Sequence, residues 1–292
     1  MCYYFGLHRK EMGMQTKKNC SGKVFVMRKR KGLCEMKTGQ IHILCKLMVI
    51  GWTMVSMMYF IQSNESSAAP HNESELSPII EEEHKKVAYL TFDDGPSRNT
   101  IRILDILDEY GIKATFFVMA NETPEGLVGY DEMIKRGHQI ALHTYSHDYR
   151  DIYTSKEAFF ENINQLEAFL SQRYNIKTNV IRFPGGSKNV SSRQYGGSQI
   201  MTDIKIECAK RGYRFFDWNV DSNDGISPYV SVGEITSNVL NGARNKEKAI
   251  ILLHDINAMT NTVTALPNII KGLKEQGFVF GIIDDKTEDM QF

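Results

Sequence analysis

Residues 87–97 read VAYLTFDDGPS, and this stretch decides the fold class. Its first six residues form an apolar run typical of a buried strand, and two carboxylates follow where the run ends. Similar runs alternate with helix-like segments about seven times along the rest of the chain, which indicates parallel strands joined by helical crossovers. The sequence therefore predicts an α/β fold, a deformed (β/α) barrel of about seven or eight units. No G-x-G-x-x-G pattern follows the first strand, which disfavours a dinucleotide-binding sheet.

The composition is that of a folded protein with an unusual beginning. The 292 residues include 35 Lys and Arg, 35 Asp and Glu, and 42% hydrophobic residues, which excludes a disordered or collagen-like chain. Eleven basic residues but only two acidic ones fall within residues 1–46. An uncharged apolar stretch occupies 47–61, and counted from residue 41, with Lys46 able to snorkel, the span is long enough to cross a bilayer. The positive-inside rule places the basic head in the cytoplasm and the acidic body outside.

These features predict the organisation of the chain. We expect a basic cytoplasmic head at 1–40, a single transmembrane signal anchor at 41–61, a polar linker at 62–86, the α/β domain at 87–284 and a tail at 285–292. Cleavage near Ala69 would make the protein secreted instead of anchored in the cell membrane. A buried core helix at 41–61 is disfavoured because polar segments flank it. Residues 1–35 are predicted to precede the native start, because Met36 would give the usual short basic segment before the span.

Cysteine and charge patterns exclude other classes of protein. Only Cys208 of the five cysteines lies in the body, so the body cannot close an internal disulfide, and no C-x-x-C metal site exists. We interpret Cys208 as a small packed hydrophobe. The apolar span after the basic head and the lack of a recognition motif argue against nucleic-acid binding.

Polar residues follow several predicted strands, where a barrel of this type builds its site. Asp93 and Asp94 end the first strand, either as a metal ligand beside a general base or as solvated carboxylates of a turn. His143 and His147 end the third strand, and two imidazoles four residues apart can face one ion. One carboxylate would complete a set of two histidines and one carboxylate, although surface histidines would also fit the pattern.

Three later segments add further candidates. Arg182 precedes Phe-Pro-Gly-Gly and could hold a carboxylate in a bidentate pair, or make a surface ion pair. The next strand leads into Asp221 and Asp224. His254 follows four apolar residues and, taken alone, would more often be a core histidine. Its place at the same end of the barrel as the other polar groups favours a role in the site.

Five ordered motifs carry a resemblance to a known family. They are TFDDGPS at 91–97, H-T-x-x-H at 143–147, R-F-P-G-G at 182–186, D-x-x-D at 221–224 and L-L-H at 252–254. Together they resemble the polysaccharide deacetylases, the NodB homology domain of carbohydrate esterase family 4. The resemblance covers residues 87–284, essentially the whole body.

The resemblance implies a role for each matching residue. Asp94, His143 and His147 would bind a divalent metal, zinc in the first place, with cobalt, manganese or nickel as alternatives. Asp93 would be the general base, Arg182 its positioning partner, His254 the general acid and Asp221 the acid that tunes His254. Pro184, Gly185, Leu252 and Tyr145 would bind substrate, with Leu252 lining the pocket for the acetyl methyl. A backbone N–H near Tyr145 or Ser146 would stabilise the oxyanion.

The implied function is metal-dependent hydrolytic N-deacetylation of an extracellular polysaccharide, in which a metal-activated water attacks the acetyl carbonyl. Peptidoglycan N-acetylglucosamine is the expected substrate, because a membrane-tethered domain would face the wall. Alternatives are a chitooligosaccharide deacetylase, an acetyl xylan esterase and a non-catalytic glycan-binding relative. The expected partners are this acetylated glycan and the membrane, with no nucleic acid; the sequence leaves the oligomeric state open.

Two positions depart from the family pattern. Gly225 follows the fourth motif where relatives have a tryptophan that walls the site, and Trp218 or Tyr229 would have to replace it. Gly185 stands where many relatives have a bulky residue, so we expect a more open groove.

Overall fold

The computed structural model describes residues 85–284 and 286–292. The predicted head at 1–40, the transmembrane segment at 41–61 and nearly all of the linker at 62–86 lie outside these residues and stay predictions. Within the described residues, no helix combines the length and the apolar character that crossing a membrane requires.

The described chain forms a curled, parallel α/β sheet. The strands are β1 (Lys86–Asp93), β2 (Thr115–Val118), β3 (Gln139–Leu142), β4 (Val180–Ile181), β5 (Arg214–Phe215), β6 (Val220–Asp221), β7 (Lys248–His254) and β8 (Phe278–Gly281). They are ordered β5-β4-β3-β2-β1-β7-β6, and β8 pairs with the first half of β1. All the observed pairs are parallel, so the polar strand ends predicted to meet do lie at one end of the sheet. The predicted barrel-like α/β architecture is confirmed.

One predicted strand, residues 213–220, has two pairing partners instead of one. Its first part, β5, pairs with β4, and its last part, β6, pairs with β7. Asn219 marks the change, because its side chain accepts from Ile250 N–H and donates to the Lys248 carbonyl. These side-chain bonds satisfy backbone groups of β7 that a regular ladder would leave unpaired.

Helices cover the outside of the sheet. They are α1 (Thr100–Glu109), α2 (Pro124–Lys135), α3 (Tyr149–Ile152), α4 (Lys156–Tyr174), α5 (Arg193–Gly196), α6 (Ile200–Lys210), α7 (Val232–Ala243) and α8 (Thr260–Glu275), with a 3₁₀ turn at Asp224–Ile226. Local signals explain the boundaries of α4. Ser155 caps its first turn by accepting from Ala158 N–H, and Asn175 ends it in the left-handed conformation at φ 55°.

Alternate residues of the strands build two apolar layers. The larger lies between sheet and helices, and the smaller fills the inside of the curled sheet. The inner layer consists of Phe117, Ala141, Val180, Phe216, Ile250 and Ile283. On β7, Ile250 belongs to it, so Leu252 and His254 point to the same interior side because strand residues alternate in direction. The inner layer therefore forms an apolar floor beneath the polar end of the sheet.

The segment after β8 is packed against the domain instead of forming a separate tail. Its Asp289 and Glu288 carboxylates bind Arg214 and Lys248, at the beginnings of β5 and β7. Further along, Met290 accepts from Asp217 N–H through its carbonyl, at 2.7 Å. Residues 286–292 thus lie along the stretch of chain that joins β5 to β6, and we call them the closing segment.

Candidate active site

The two carboxylates after β1 have different surroundings. Asp93 is the last residue of β1 and the register partner of His254 on β7, so the two occupy neighbouring strands at one level. Asp94 follows in the left-handed region, at φ 71°, which turns its side chain away from the strand's alternation. The backbone therefore directs the side chains of these two adjacent carboxylates into different surroundings.

Arg182 holds Asp93 from inside the sheet. Its Nη1 donates to Asp93 Oδ1 and to Thr91 Oγ1, both at 2.7 Å, and its Nε and Nη2 donate to the carbonyls of Phe216 and Asp217. The guanidinium is fully buried and stacks over the Phe117 ring at 4.1 Å. A buried charge with this many partners is fixed in place, and removing one partner of such a pair costs about 3–5 kcal/mol. Arg182 thus positions Asp93, as the resemblance implied.

The predicted metal ligands come together. Asp94 Oδ1 lies 3.4 Å from His143 Nε2 and 3.4 Å from His147 Nε2. His143 Nδ1 contacts the Arg182 carbonyl at 2.8 Å. A carbonyl can only accept, so it fixes the tautomer that leaves Nε2 with a free lone pair. His147 reaches the cluster because it, too, adopts a left-handed conformation, at φ 57°.

The donor set and its spacing fit a metal ion. Asp94 Oδ1 is buried and has no hydrogen-bond partner among the described residues. Tetrahedral zinc ligands at ~2.0–2.2 Å from the ion lie roughly 3.3–3.5 Å from one another. The separations from Asp94 match that spacing, and the three ligand atoms all lie within 4.8 Å of one another. Two imidazoles and one carboxylate leave a further position open for water or substrate.

Electrostatics in the cluster favour a carboxylate that stays ionised. Burial alone would raise the pKa of Asp94, but the neighbouring imidazole of His143, with the charges of His147 and His254, outweighs burial and lowers it. Burial also opposes protonation of His143, yet Asp93 and Asp94 raise its pKa. Burial and the neighbouring His143 lower the pKa of His147. A proton and a metal therefore compete for the same imidazoles, and metal binding should weaken in acid.

His254 is paired with Asp224, and the expectation that Asp221 tunes it is wrong. The Nδ1 atom of His254 lies 2.7 Å from Asp224 Oδ1. The other oxygen, Asp224 Oδ2, accepts from the backbone N–H of His254 and from the Thr262 hydroxyl. Burial works against the charged imidazole, but the hydrogen bond to Asp224 and the nearby carboxylates raise the pKa of His254 to about 9. The Asp221 carboxylate is exposed and instead accepts from Trp218 Nε1. The 3₁₀ turn after β6 explains the difference, because it carries Asp224 and not Asp221 toward β7.

The remaining predicted residues have separate places. Leu252 is buried on β7, two residues before His254. The Pro184 carbonyl accepts from Tyr153 and Asn189, so this residue shapes the loop after β4. Tyr145 donates through its hydroxyl to Glu122 at the surface. Gly185 is exposed at φ 76°, a conformation that favours glycine.

The predicted oxyanion donors are already engaged. Asn162, on α4, accepts from Tyr145 N–H at 2.6 Å and from Ser146 N–H at 3.3 Å. Its amide group also donates to Ser146 Oγ. Asn162 thus shapes the loop that carries His143 and His147, a role that sequence reasoning missed because an asparagine in a helix gives no local signal.

A second missed residue is Asp255. It is buried, and its carboxylate accepts from Ser97 and Thr100, at the turn that follows Asp94. Burial raises the pKa of Asp255 to about 6 against these hydrogen bonds. Its backbone N–H donates to the Asp93 carbonyl, so Asp255 links the end of β1, which carries Asp93, to the end of β7, which carries His254.

A cleft lies beside the metal-ligand cluster. It has a volume of about 590 Å³, and the residues that line it include Asp94, His147, Tyr149, Asn121 and Asn257. Its mixed polar and aromatic lining suits a sugar. The cleft, the carboxylate–histidine cluster and the His254–Asp224 pair all lie at one end of the sheet.

Comparisons with known proteins agree with this geometry. The family model described as polysaccharide deacetylase matches residues 80–201. A peptidoglycan-N-acetylglucosamine deacetylase of Bacillus cereus is 31% identical over 205 residues, covering 67% of this chain and 68% of that protein. The chain belongs to the polysaccharide deacetylase family.

Relatives named for different activities resemble this chain in structure or in sequence. The catalytic domain of a peptidoglycan N-acetylglucosamine deacetylase from Eubacterium rectale superposes with a TM-score of 0.67 at 33% identity, covering 79% of this chain and 97% of that one. A bifunctional xylanase/deacetylase of Pseudobutyrivibrio xylanivorans is 29% identical over 208 residues, which are 70% of this chain and 31% of that protein. The family is thus one of hydrolases that remove acetyl groups from polysaccharides.

Proposed function

We propose that this chain removes N-acetyl groups from the N-acetylglucosamine residues of peptidoglycan, with a divalent metal at Asp94, His143 and His147. The observation that carries the proposal is the convergence of an unpartnered buried carboxylate oxygen, two imidazoles, a held carboxylate and a raised-pKa histidine at one end of the sheet. The similarity to peptidoglycan-N-acetylglucosamine deacetylases supports the choice of glycan.

Asp93 is the proposed general base. Arg182 binds its Oδ1, which leaves Oδ2 to accept a proton from the attacking water. Oδ2 lies 3.8 Å from His143 Nε2, so the base is next to the proposed metal ligands. When bound, the metal supplies Lewis-acid chemistry, polarising the acetyl carbonyl and making water more acidic.

His254 is the proposed general acid. Because Asp224 binds Nδ1, the opposite nitrogen, Nε2, is left to hand its proton to the departing amine. A pKa of about 9 keeps this proton in place at neutral pH. Base and acid lie on adjacent strands at the same register, so one bound acetamide group can meet both.

The oxyanion needs another donor, since the N–H groups of Tyr145 and Ser146 are engaged. The exposed Gly185 N–H makes no hydrogen bond within the described residues. It lies in the loop after β4, beside Tyr149 of the cleft. We assign it as the donor, with the metal as the second source of stabilisation.

Acetate release from a panel of substrates tests the proposal. The full chain, purified in detergent because of the predicted span at 41–61, is incubated with purified peptidoglycan, N-acetylglucosamine oligomers and acetylated xylan, each with and without chelator. We expect chelator-sensitive release that is fastest from peptidoglycan. Release from none of them by a chain shown to contain metal would favour the non-catalytic, glycan-binding alternative.

A second candidate function changes only the substrate. The similarity to a bifunctional xylanase/deacetylase, and to the CE4 domain of a multidomain xylanase from a termite hindgut metagenome, favours an O-acetylated xylan. Faster release from xylan than from either N-acetylated glycan would select this alternative, and preference for the oligomers would select a chitooligosaccharide deacetylase.

We further propose that the domain works outside the cell, anchored in the membrane by residues 41–61. The apolar span after a basic head supports this topology. Protease treatment of intact cells should digest the domain while a cytoplasmic marker survives. Recovery of the domain in the medium would indicate cleavage near Ala69 instead.

A further inference from the structure

The closing segment, residues 286–292, touches the proposed site through one aromatic pair. The Phe292 ring packs edge-on against Trp218, with centroids 5.1 Å apart. Trp218 in turn lies 5.7 Å from the Arg182 guanidinium, which holds Asp93. A segment that begins at the opposite end of the sheet, beside Arg214 and Lys248, therefore ends against a tryptophan that neighbours the guanidinium of Arg182.

A buried carboxylate fixes this arrangement. Asp217 accepts from Ser187 N–H and Oγ, and from Phe292 N–H at 2.8 Å. Its own N–H donates to the Met290 carbonyl. One side chain thereby joins the loop after β4, the closing segment and the residue before Trp218.

The rings of Trp218 and Phe292 both pack closely against Gly186, in the loop after β4. A Cβ added to Gly186 would lie 3.1 Å from Phe292 Cε2 and 3.1 Å from Trp218 Cη2. The glycine thus allows both rings to approach the loop. On the other side, Trp218 Nε1 donates to Asp221 at 3.2 Å, so the indole is held at its edges while part of its surface stays accessible to solvent.

Tyr229, the other aromatic residue considered for this role, is placed differently. It is 89% exposed, and its ring packs against no other ring among the described residues. An unsupported side chain loses more conformational freedom on binding than one that is already held. The geometry thus favours Trp218 over Tyr229 as the surface that a sugar meets.

We propose that the closing segment positions Trp218 as an aromatic platform for the pyranose ring next to the acetylated sugar. The inference rests on the proposed function, because Trp218 neighbours Arg182, the residue that binds the proposed base Asp93. The C–H face of a pyranose is apolar, and a rigid indole offers it a flat apolar surface. Trp218 and Phe292 would together supply the wall that Gly225 cannot.

A comparison of a substrate that has neighbouring sugars with one that has none distinguishes this binding role from a merely structural one. The full chain carries two tryptophans, so Trp52→Phe leaves Trp218 as the only tryptophan, whose fluorescence can be excited selectively over that of tyrosine. In that background we compare Trp218→Phe, Phe292→Ala, Phe292→Tyr and Tyr229→Ala. The substrates are an N-acetylglucosamine tetramer and ethyl acetate, a small ester with neither a sugar nor an aromatic ring to stack. Chelator-sensitive hydrolysis of the small ester reports whether the site is intact.

The expected result is a selective loss on the tetramer. Phe292→Ala should raise its KM roughly three- to tenfold, in keeping with the value of one aromatic contact. Turnover of the small ester should stay near the parent value, and Phe292→Tyr should restore tetramer binding. Trp218 fluorescence should change with the tetramer in the parent chain and become more accessible to acrylamide in Phe292→Ala.

Failure of this inference can be told apart from failure of the proposed function. An unchanged tetramer KM in Phe292→Ala and Trp218→Phe, or a loss confined to Tyr229→Ala, would overturn the platform while leaving deacetylation intact. If the parent releases no acetate but the tetramer still shifts Trp218 fluorescence, the platform stands and the enzymatic proposal falls. Absence of both signals would overturn both.

Discussion

At the scale of single residues, the site depends on which carboxylate meets which imidazole. The D-x-x-D motif offers two acids three residues apart, and sequence alone gives no reason to prefer the second. The 3₁₀ turn at Asp224–Ile226 decides the matter by turning Asp224 inward against His254. Asp93, Asp94, His143 and His147 were easier to place, because each ends a strand or follows one.

Replacing Asp224 by asparagine should change the pH profile of the reaction, and replacing Asp221 should not. Asp224→Asn removes the main anion that raises the pKa of His254, so this proposed general acid loses its proton at lower pH. The falling, alkaline limb of the kcat/KM profile should move down by roughly one to two pH units, the equivalent of one charged hydrogen bond. Asp221→Asn is the control and should leave that limb unchanged. An equal shift in both variants would contradict the pairing.

At the scale of elements, alternation of strands and helices was predictable, and the short strands were not. β4, β5 and β6 have two residues each, so their pairing rests on neighbours such as Asn219 and not on a periodic pattern. The role of residues 286–292 was missed for the same reason. Their contacts with Arg214, Lys248 and Asp217 join positions distant in sequence, which no local pattern reveals.

A glycine on α2 determines how closely that helix approaches the site. A Cβ on Gly129 would lie 2.6 Å from Pro96 Cβ, two residues after Asp94. Gly129→Ala should therefore cost about 1–3 kcal/mol of unfolding free energy, despite the better helix propensity of alanine, and weaken metal binding. Urea denaturation and metal titration measure the two effects.

Gly233 on α7 supplies the matched control. Nothing lies within 4 Å of a Cβ built there. Gly233→Ala should be neutral, or stabilise by up to ~1 kcal/mol through helix propensity alone. Similar destabilisation in both variants would show that the close approach of α2 to Pro96 is not the cause of the lower unfolding free energy in Gly129→Ala.

At the scale of the whole molecule, the described domain should gain stability from a metal. Its three proposed ligands come from the turn after β1 and the loop after β3, so an ion would join segments about 50 residues apart. Zinc at 100 times its Kd would add about 2.7 kcal/mol, or roughly 5–10 °C in Tm for a domain of this size. Thermal unfolding of the full chain with zinc or with chelator measures the shift.

The ligand variant His147→Ala provides the comparison for that measurement. It removes one imidazole that is partly exposed, so the fold should survive. Zinc should then raise Tm by much less than in the parent chain. An undiminished shift in His147→Ala would place the stabilising ion elsewhere.

The most direct test of the central claim is the rate of acetate release from peptidoglycan by the metal-loaded parent chain, Asp93→Asn and His254→Ala. We predict that each variant keeps its metal and loses ~10²–10⁴ in rate, the usual contribution of a general base or acid. Release at the parent rate by either variant, with metal content unchanged, would contradict the assignment of base and acid.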